Sequence, residues 1–161
     1  MLPKLLFPTI VWRQLVGELY RRGDNQVESG ALLLGRVGHT GVREIAQVIY
    51  YDDIDPTALD RGYVYLDRRQ FGKVWNECRE AGLHVVADVH THPGLALQSA
   101  SDQANPIIPR TGHLAIIIPD FATLPVDLNH VGVFEYLGSG QWSTLSDRYT
   151  LVNTIQISGS P

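Results

Sequence analysis

The spacing of apolar residues near the start of the chain predicts a helix over about residues 9–22. Between Val11 and Leu19 the apolar side chains recur at intervals of three and four, which places them on one helical face. Pro8 suits the first turn of such a helix, and Gly23 is a residue at which helices commonly end. The pattern therefore indicates an amphipathic helix that packs on a core.

A second helix is predicted between Asp67 and Gly82. The apolar residues from Phe71 to Cys78 fall on one face, and Asp67 with Gln70 three residues later resembles a capping box. Gly82 closes the pattern, as glycine does after many helices. We assign three large aromatic side chains of the two helices to the core: Trp12, Phe71 and Trp75.

Shorter apolar runs predict strands. The run from Leu83 to Thr91 is almost continuously apolar, which is typical of a strand covered on both faces, and we expect it at the centre of a sheet. Residues 52–62 combine acidic residues and proline without periodicity, which indicates a loop. The other predicted elements are a hairpin of 28–35 and 42–51, strands at 63–66, 113–118 and 131–136, a short helical turn ending at Pro106, and one more strand within 142–157.

Strands that alternate with two amphipathic helices favour the α/β class, with a mixed central β-sheet flanked by two main helices. The 161 residues and 44% hydrophobic content suit a single domain over 1–161. We expect its core at about 8–137 and a C-terminal strand and tail at about 142–161.

Composition narrows the function classes. Cys78 is the only cysteine, so neither a disulfide framework nor a cysteine-rich metal site can form. The net charge is -4 and the basic residues are scattered, which argues against nucleic acid and membrane surfaces as partners. No export signal and no apolar run long enough to span a bilayer is apparent, and we expect a cytoplasmic protein.

Two histidines end the predicted central strand. Because side chains alternate along a strand, His90 and His92 project from the same face, where two imidazoles can share one ion. Asp88 shares that face, where it either orients a metal ligand or forms a buried structural hydrogen bond. The following Pro93 turns the chain, so the pair lies at a strand end, but a His-x-His pair alone is as compatible with a polar sheet edge. The remaining histidines open predicted strands or a turn, where a polar residue near solvent needs no further role: His39, His84, His113 and His130.

A carboxylate returns to this strand end within ten residues. Asp102, together with His90 and His92, makes a plausible tripod for tetrahedral zinc with the fourth position open. Ser99 and Asp102 also have the spacing of a helix cap, in which the serine accepts from the third helical amide. The two interpretations are compatible, because a capped turn fixes the direction of the carboxylate.

The combination resembles a known family. His-Thr-His-Pro at 90–93 and Ser-x-x-Asp at 99–102, preceded by Glu28 before a glycine-containing apolar strand, are similar to the signature of the JAMM (MPN-plus) zinc metalloproteases. The resemblance covers about residues 8–137. It implies a single MPN (JAB) domain of the compact prokaryotic type.

The resemblance also implies roles for five residues. His90, His92 and Asp102 would bind one zinc ion that carries a catalytic water. Glu28 would be the general acid and base, and Ser99 would help to stabilise the oxyanion. Physical chemistry supports these roles, because zinc lowers the pKa of bound water to about 7 and a nearby carboxylate can move its proton.

Members of this family often act on modifier tails. The resemblance therefore implies a zinc-dependent isopeptidase or peptidase that cleaves after the C-terminal tail of a ubiquitin-like modifier, in deconjugation or precursor processing, as in some bacterial conjugation and antiphage systems. The implied partners are the modifier or its conjugate and modifier-conjugating enzymes, and residues 52–62 and 105–112 are the predicted substrate groove.

Two alternatives remain open: a processing peptidase for a sulfur-carrier protein, and a non-catalytic MPN scaffold subunit. Scaffold versions usually lack the metal ligands that are all present here. A zinc deaminase is set aside, because one cysteine cannot supply the Cys-x-x-Cys ligands of that class.

Overall fold

The structure, a computed structural model, describes residues 2–146 and 154–159, and one mixed sheet of eight strands runs through both ranges. Along the chain the strands are β1 (Leu5–Pro8), β2 (Gly30–Val37), β3 (Arg43–Tyr50), β4 (His84–Thr91), β5 (Leu114–Ile118), β6 (Gly132–Gly138), β7 (Gln141–Thr144) and β8 (Ile155–Ser158). Their spatial order is β7-β6-β5-β4-β2-β3-β1-β8. The α/β class with a mixed sheet is therefore confirmed.

The helices cover the two faces of this sheet. They are α1 (Thr9–Gly23), α2 (Tyr51–Ile54), α3 (Gly72–Ala81) and α4 (Ala100–Ala104), with short 3-10 turns at Arg68–Phe71, Asp120–Ala122 and Leu128–His130. Within the described residues, no helix is both long and apolar enough to cross a membrane.

Alternation along β2 divides the core into two apolar clusters. The side chain of Leu33 joins the cluster that α1 covers, whereas Leu32 and Leu34 point to the opposite face and join the cluster that includes α3. All three leucines are fully buried, because β2 lies inside the sheet with helices on both sides. The sequence pattern of a continuous apolar run reflects this double coverage.

The predicted central position of β4 is confirmed. It pairs antiparallel with β2 and parallel with β5, and its residues from Val86 to Thr91 are buried. The first helix and the β2–β3 hairpin also lie where the sequence predicts them. The spacing of apolar residues along the chain is enough to predict these elements, and their tertiary contacts stabilise the same structure.

The prediction of a strand at 63–66 is wrong. These residues belong to no sheet: Tyr63 lies in a bend, and 64–66 have no regular secondary structure. The amide of Tyr65 donates to the carbonyl of Ala58, and that of Val64 donates to the Glu28 carboxylate. The predicted loop at 52–62 starts inside the short helix α2. Aromatic and β-branched composition gives a strand only where a neighbouring strand offers free backbone groups.

The second predicted helix begins differently from the expected capping box. Asp67 does cap the start, but its carboxylate accepts from the amide and side chain of Arg69, and a 3-10 turn precedes α3. Gly82 ends the helix in the left-handed conformation, as predicted.

Two predictions about burial need correction, those for Trp75 and His113. Trp12 and Phe71 are buried, but the Trp75 side chain is 42% exposed because α3 turns it beyond the edge of its apolar cluster. His113, expected near solvent, is 5% exposed and lies within hydrogen-bonding distance of Asp88. The local sequence pattern does not reveal the distant partner of His113. Nor does it reveal the free surface on which Trp75 lies.

The two ends of the chain meet at one edge of the sheet. β1 pairs parallel with both β3 and β8, and the apolar cluster on this face includes Leu5, Phe7 and Ile155. No strand was predicted at β1. Of the segment predicted to hold one strand, the structure shows β7 and β8, while 147–153 lie outside the described residues.

The close packing of β2 and β3 predicts a cost for adding a methyl group at Gly35. A Cβ there would overlap the carbonyl group of Glu44, at a point where the register shifts. We expect Gly35→Ala to lower the free energy of unfolding by about 1–3 kcal/mol. Chemical denaturation would measure it.

Gly17→Ala is the matched control, because a Cβ at Gly17 in α1 meets nothing within 4 Å. Alanine there should stabilise the protein by about 0.5–1 kcal/mol through helix propensity. Equal effects of the two substitutions would contradict the packing described at Gly35.

Candidate metal centre

The pairing of β2 with β4 places Glu28 opposite His92. Gly30 is the register partner of His90, and the amide of Thr91 donates to the carbonyl of Ser29. Continuing this antiparallel register by two residues brings Glu28 and His92 to the same side of the sheet. The sequence resemblance grouped Glu28 with His92, and the strand register explains why these distant residues lie on the same side of the sheet.

The two histidines turn their ring nitrogens towards each other. Nε2 of His90 lies 3.0 Å from Nε2 of His92, and both residues are buried, at 5% and 9% exposure. The amide of His92 donates to the carbonyl of Ile118, so the parallel neighbour β5 holds the end of β4 in place. The rings therefore present two ligand atoms from a rigid support.

Helix α4 brings Asp102 to the same point. Ser99 caps α4, its hydroxyl accepting from the Asp102 amide at 3.0 Å, while the Asp102 carboxylate accepts from the Ser99 amide at 2.8 Å. This capping box leaves Oδ1 3.4 Å from Nε2 of His90 and Oδ2 3.2 Å from Nε2 of His92. The predicted cap and the predicted ligand position thus coexist.

These separations fit a tetrahedral metal ion. Zinc binds nitrogen and oxygen at about 2.0–2.1 Å, so two of its tetrahedral ligands lie about 3.3–3.4 Å apart. The three distances among His90, His92 and Asp102 are 3.0, 3.4 and 3.2 Å. Glu28 also belongs to a group with both histidines whose ligand atoms lie within 4.8 Å of one another, so either carboxylate can complete a site with the His pair.

Glu28 lies slightly farther from the ring nitrogens. Its Oε1 is 3.8 Å from Nε2 of His92, and its Oε2 accepts a long hydrogen bond of 3.4 Å from the Val64 amide. Burial raises the pKa of Glu28, an effect that the charges of His90 and His92 oppose only in part. A carboxyl group with a raised pKa beside the ligand atoms is suited to accepting and returning a proton.

The electrostatics favour a positive charge between the ligand atoms. Burial acts to lower the pKa of His90, but the carboxylates of Asp102, Asp88 and Glu28 together outweigh it and hold that pKa above its usual value. Burial acts in the opposite sense on Asp102, whose hydrogen bonds to the two histidines hold its pKa far below the usual range. A proton or a metal cation can provide the charge that this arrangement stabilises.

Ser99 is exposed and acts on the site through the cap. Among the described residues its hydroxyl oxygen accepts from the Asp102 amide, which leaves the hydroxyl hydrogen free to donate outward. Its role in stabilising an oxyanion stays a prediction.

A buried polar pair lies behind the histidines. Oδ2 of Asp88 lies 2.7 Å from Nε2 of His113, and each side chain is 3% exposed. Of the two roles considered for Asp88, the structure therefore shows the buried hydrogen-bonding contact. Sequence reasoning gave His113 no part; only the parallel pairing of β4 with β5 brings it beside Asp88.

Tyr51 is a further residue that sequence reasoning missed. Its ring lies against Gly30, where a Cβ would meet it at 2.5 Å, and Gly30 is the register partner of His90. Its hydroxyl and Nδ1 of His90 are the two buried side-chain atoms without a hydrogen-bond partner among the described residues. A ligand His normally donates its second ring N–H, so Nδ1 of His90 lacks the support that such a ligand usually has. In the sequence, the sign of this close packing was Gly30, which stands directly before the apolar run of β2.

The sheet, the histidine pair and the two carboxylates define a candidate metal centre on an α/β domain. The chain belongs to the family described as prokaryotic homologs of the JAB domain, whose profile matches residues 11–123. The resemblance inferred from the sequence is confirmed by this match.

Individual relatives agree with the assignment. A probable metalloprotease from Sinorhizobium fredii is 34% identical over 62 residues, 38% of this chain and 38% of that protein, so well under half of its length is matched. Solved structures from two bacteria resemble the fold. One from Desulfitobacterium hafniense has a TM-score of 0.69 at 16% identity, covering 97% of this chain and 94% of its own; one from Salinibacter ruber has 0.51 at 19%, covering 81% and 84%.

The geometry predicts that Asp102 contributes directly to binding a divalent metal. We expect Asp102→Asn to weaken binding more than about 100-fold, since even groups that only support ligands contribute about 10–100-fold. Competition with a chromophoric chelator would measure the affinity for zinc and cobalt.

Asp127→Asn is the matched control, because Asp127 also caps a short helical turn, through the Asn129 amide, but its carboxylate lies beside the exposed His130. It should leave metal affinity unchanged. Unchanged affinity in Asp102→Asn would show that Glu28 rather than Asp102 completes the site.

Proposed function

We propose that the protein is a zinc-dependent peptidase or isopeptidase that cleaves after the C-terminal tail of a ubiquitin-like modifier. The observation that carries the proposal is the compact triangle of His90, His92 and Asp102, with the Glu28 carboxylate 3.8 Å from Nε2 of His92. Membership of the JAB family and similarity to a probable metalloprotease support hydrolytic chemistry.

In this proposal His90, His92 and Asp102 hold zinc, and Glu28 moves protons. Bound zinc would polarise the scissile carbonyl and make a water acidic enough to react near neutral pH. Glu28 takes a proton from the attacking water and passes it to the departing amine, so that one water is consumed per amide bond cleaved. Ser99 offers its hydroxyl hydrogen to the developing oxyanion.

A cleft of about 800 Å³ beside His90 is the proposed groove for the substrate tail. It is lined by residues 63–68 and by five residues that follow α4: Ala104, Asn105, Pro106, Ile107 and Pro109. His90 and Asp102 also line it. In this proposal the tail lies along residues 63–68, whose backbone belongs to no sheet, and bonds to them as an added strand bonds to a sheet edge.

The groove proposed here differs in part from the sequence expectation. From the expected segment 105–112, Asn105, Pro106, Ile107 and Pro109 line it, and residues 63–68 replace the expected 52–62. The exposed rings of Tyr63 and Tyr65 stand at its mouth, at 52% and 48% exposure. Small residues near the end of a modifier tail would pass between such rings more easily than bulky ones.

Replacing Glu28 separates proton transfer from metal binding. We expect Glu28→Gln to retain bound zinc and to lower kcat by about 10²–10⁴-fold, because the amide cannot accept the proton. Metal content and single-turnover cleavage would be measured on the same preparation. Glu44→Gln, at an exposed position of β3, is the control and should retain full activity; full activity in Glu28→Gln would refute the assigned proton carrier.

The substrate class is tested by intact-mass spectrometry. A ubiquitin-like modifier conjugate, an extended modifier precursor and an extended sulfur-carrier protein would each be incubated with the full chain, with and without chelator. We expect cleavage directly after the modifier tail, lost with chelator and restored by zinc. Cleavage of the sulfur-carrier precursor alone would favour that alternative, and metal binding without cleavage of any substrate would favour a scaffold role.

A further inference from the structure

A second cleft lies at the opposite end of β4 from the metal centre. Its volume is about 970 Å³, and it is bordered by the start of β4 at His84 and the residues that lead into β5. His84 and His90 are six residues apart on one strand, so the two regions are about 20 Å apart. The Asp88–His113 pair, buried between them, contributes Asp88 to the metal-end cleft and His113 to this one.

The second cleft is lined by basic residues without acidic ones. Arg36 and Arg43 come from the ends of β2 and β3 that meet there, and Arg110 comes from the loop before β5. Within residues 2–146 and 154–159 none of the three forms an ion pair. In a chain whose net charge is -4, this is a local reversal of sign. We name these three residues the arginine cluster.

Arg43 is held in a fixed position within the cluster. Its guanidinium donates to the carbonyl of Val86 at 2.8 Å and to that of Gly112 at 2.6 Å. Burial lowers the pKa of Arg43; Glu135 opposes this and the positive charge of Arg110 adds to it. Glu135 also lies 3.6 Å from the Lys4 ammonium, so its charge is shared. Mutual repulsion within the arginine cluster is relieved when an anion enters.

Two apolar side chains stand beside these charges. Trp75 and Val37 line the cleft and are 42% and 56% exposed. Exposing an indole on the apolar side of α3 costs favourable burial, and sequence periodicity had assigned Trp75 to the core. Tryptophan and arginine are the residue types most enriched among the strongest contributors to protein interfaces.

We propose that this cleft binds an acidic peptide segment of a partner protein, with an apolar side chain against Trp75 and carboxylates facing the arginine cluster. Two guanidinium nitrogens of Arg43 are already bonded to carbonyls, so the cluster does not converge on one small anion. The volume also far exceeds that of a phosphate ion. Carboxylates spaced along a chain match positive charges that are spread across several strands.

The test is a selection of random twelve-residue peptides on the full zinc-loaded chain, followed by fluorescence anisotropy. We expect the selected peptides to be enriched in Asp and Glu together with a large apolar residue, and their binding to weaken as salt rises. Arg36→Glu with Arg110→Glu, and separately Trp75→Ala, should each weaken binding about tenfold or more. Selection of peptides without acidic enrichment would overturn the proposal.

Arg13→Glu is the matched control, because Arg13 is exposed on α1, which covers the other face of the sheet. It should leave peptide affinity unchanged, and thermal unfolding should confirm that all variants fold. An equal loss of affinity in Arg13→Glu would show that peptide affinity depends only on the net charge of the protein, and it would refute the docking site. Full displacement of the peptide by inorganic pyrophosphate at equal concentration would identify a small-anion site and also refute it.

Discussion

The hydrogen bond from the Thr91 amide to the Ser29 carbonyl fixes the register on which the metal centre depends. The Ser29 amide returns a bond to the Thr91 hydroxyl at 2.9 Å, and the Ser29 hydroxyl donates to Leu19 of α1 at 2.7 Å. A shift of one residue in this pairing would turn the Glu28 side chain to the other face of the sheet, away from His92. The register thus determines whether Glu28 and the two histidines share a face.

The second constraint is the path of the chain from β4 to α4. Gly132 on β6 leaves room for this connection, because a Cβ there would overlap the carbonyl of Ala96. The chain can therefore lie close against the sheet before Ser99 starts α4. Since the Ser99 cap and the Asp102 carboxylate bond each other in both directions, the direction of the ligand is set by the same bonds that begin the helix. The same short turn thus stabilises the start of α4 and orients the Asp102 carboxylate.

Sequence periodicity was sufficient for elements whose signal is local, such as α1, the β2–β3 hairpin and β4. It failed where the outcome depends on distant partners: β1 is a strand because β3 and β8 offer it free backbone, and 63–66 is not because nothing pairs with it. The His-x-His pattern correctly predicted that the side chains of His90 and His92 share one face. It could not place His113 behind Asp88, because that contact arises from parallel pairing between strands.

The charges of the molecule are distributed along β4 in a way that separates two kinds of binding. At its carboxyl end Asp102 and Glu28 surround two histidines and favour a cation, whereas at its amino end the arginine cluster favours an anion. Neither group can neutralise the other, because about 20 Å of sheet lies between them and exposed charges are screened over about 8 Å at physiological salt. Each end therefore keeps its own unbalanced charge. An anionic ligand at the amino end would therefore leave the metal-end cleft open, because the two clefts lie at opposite ends of one strand.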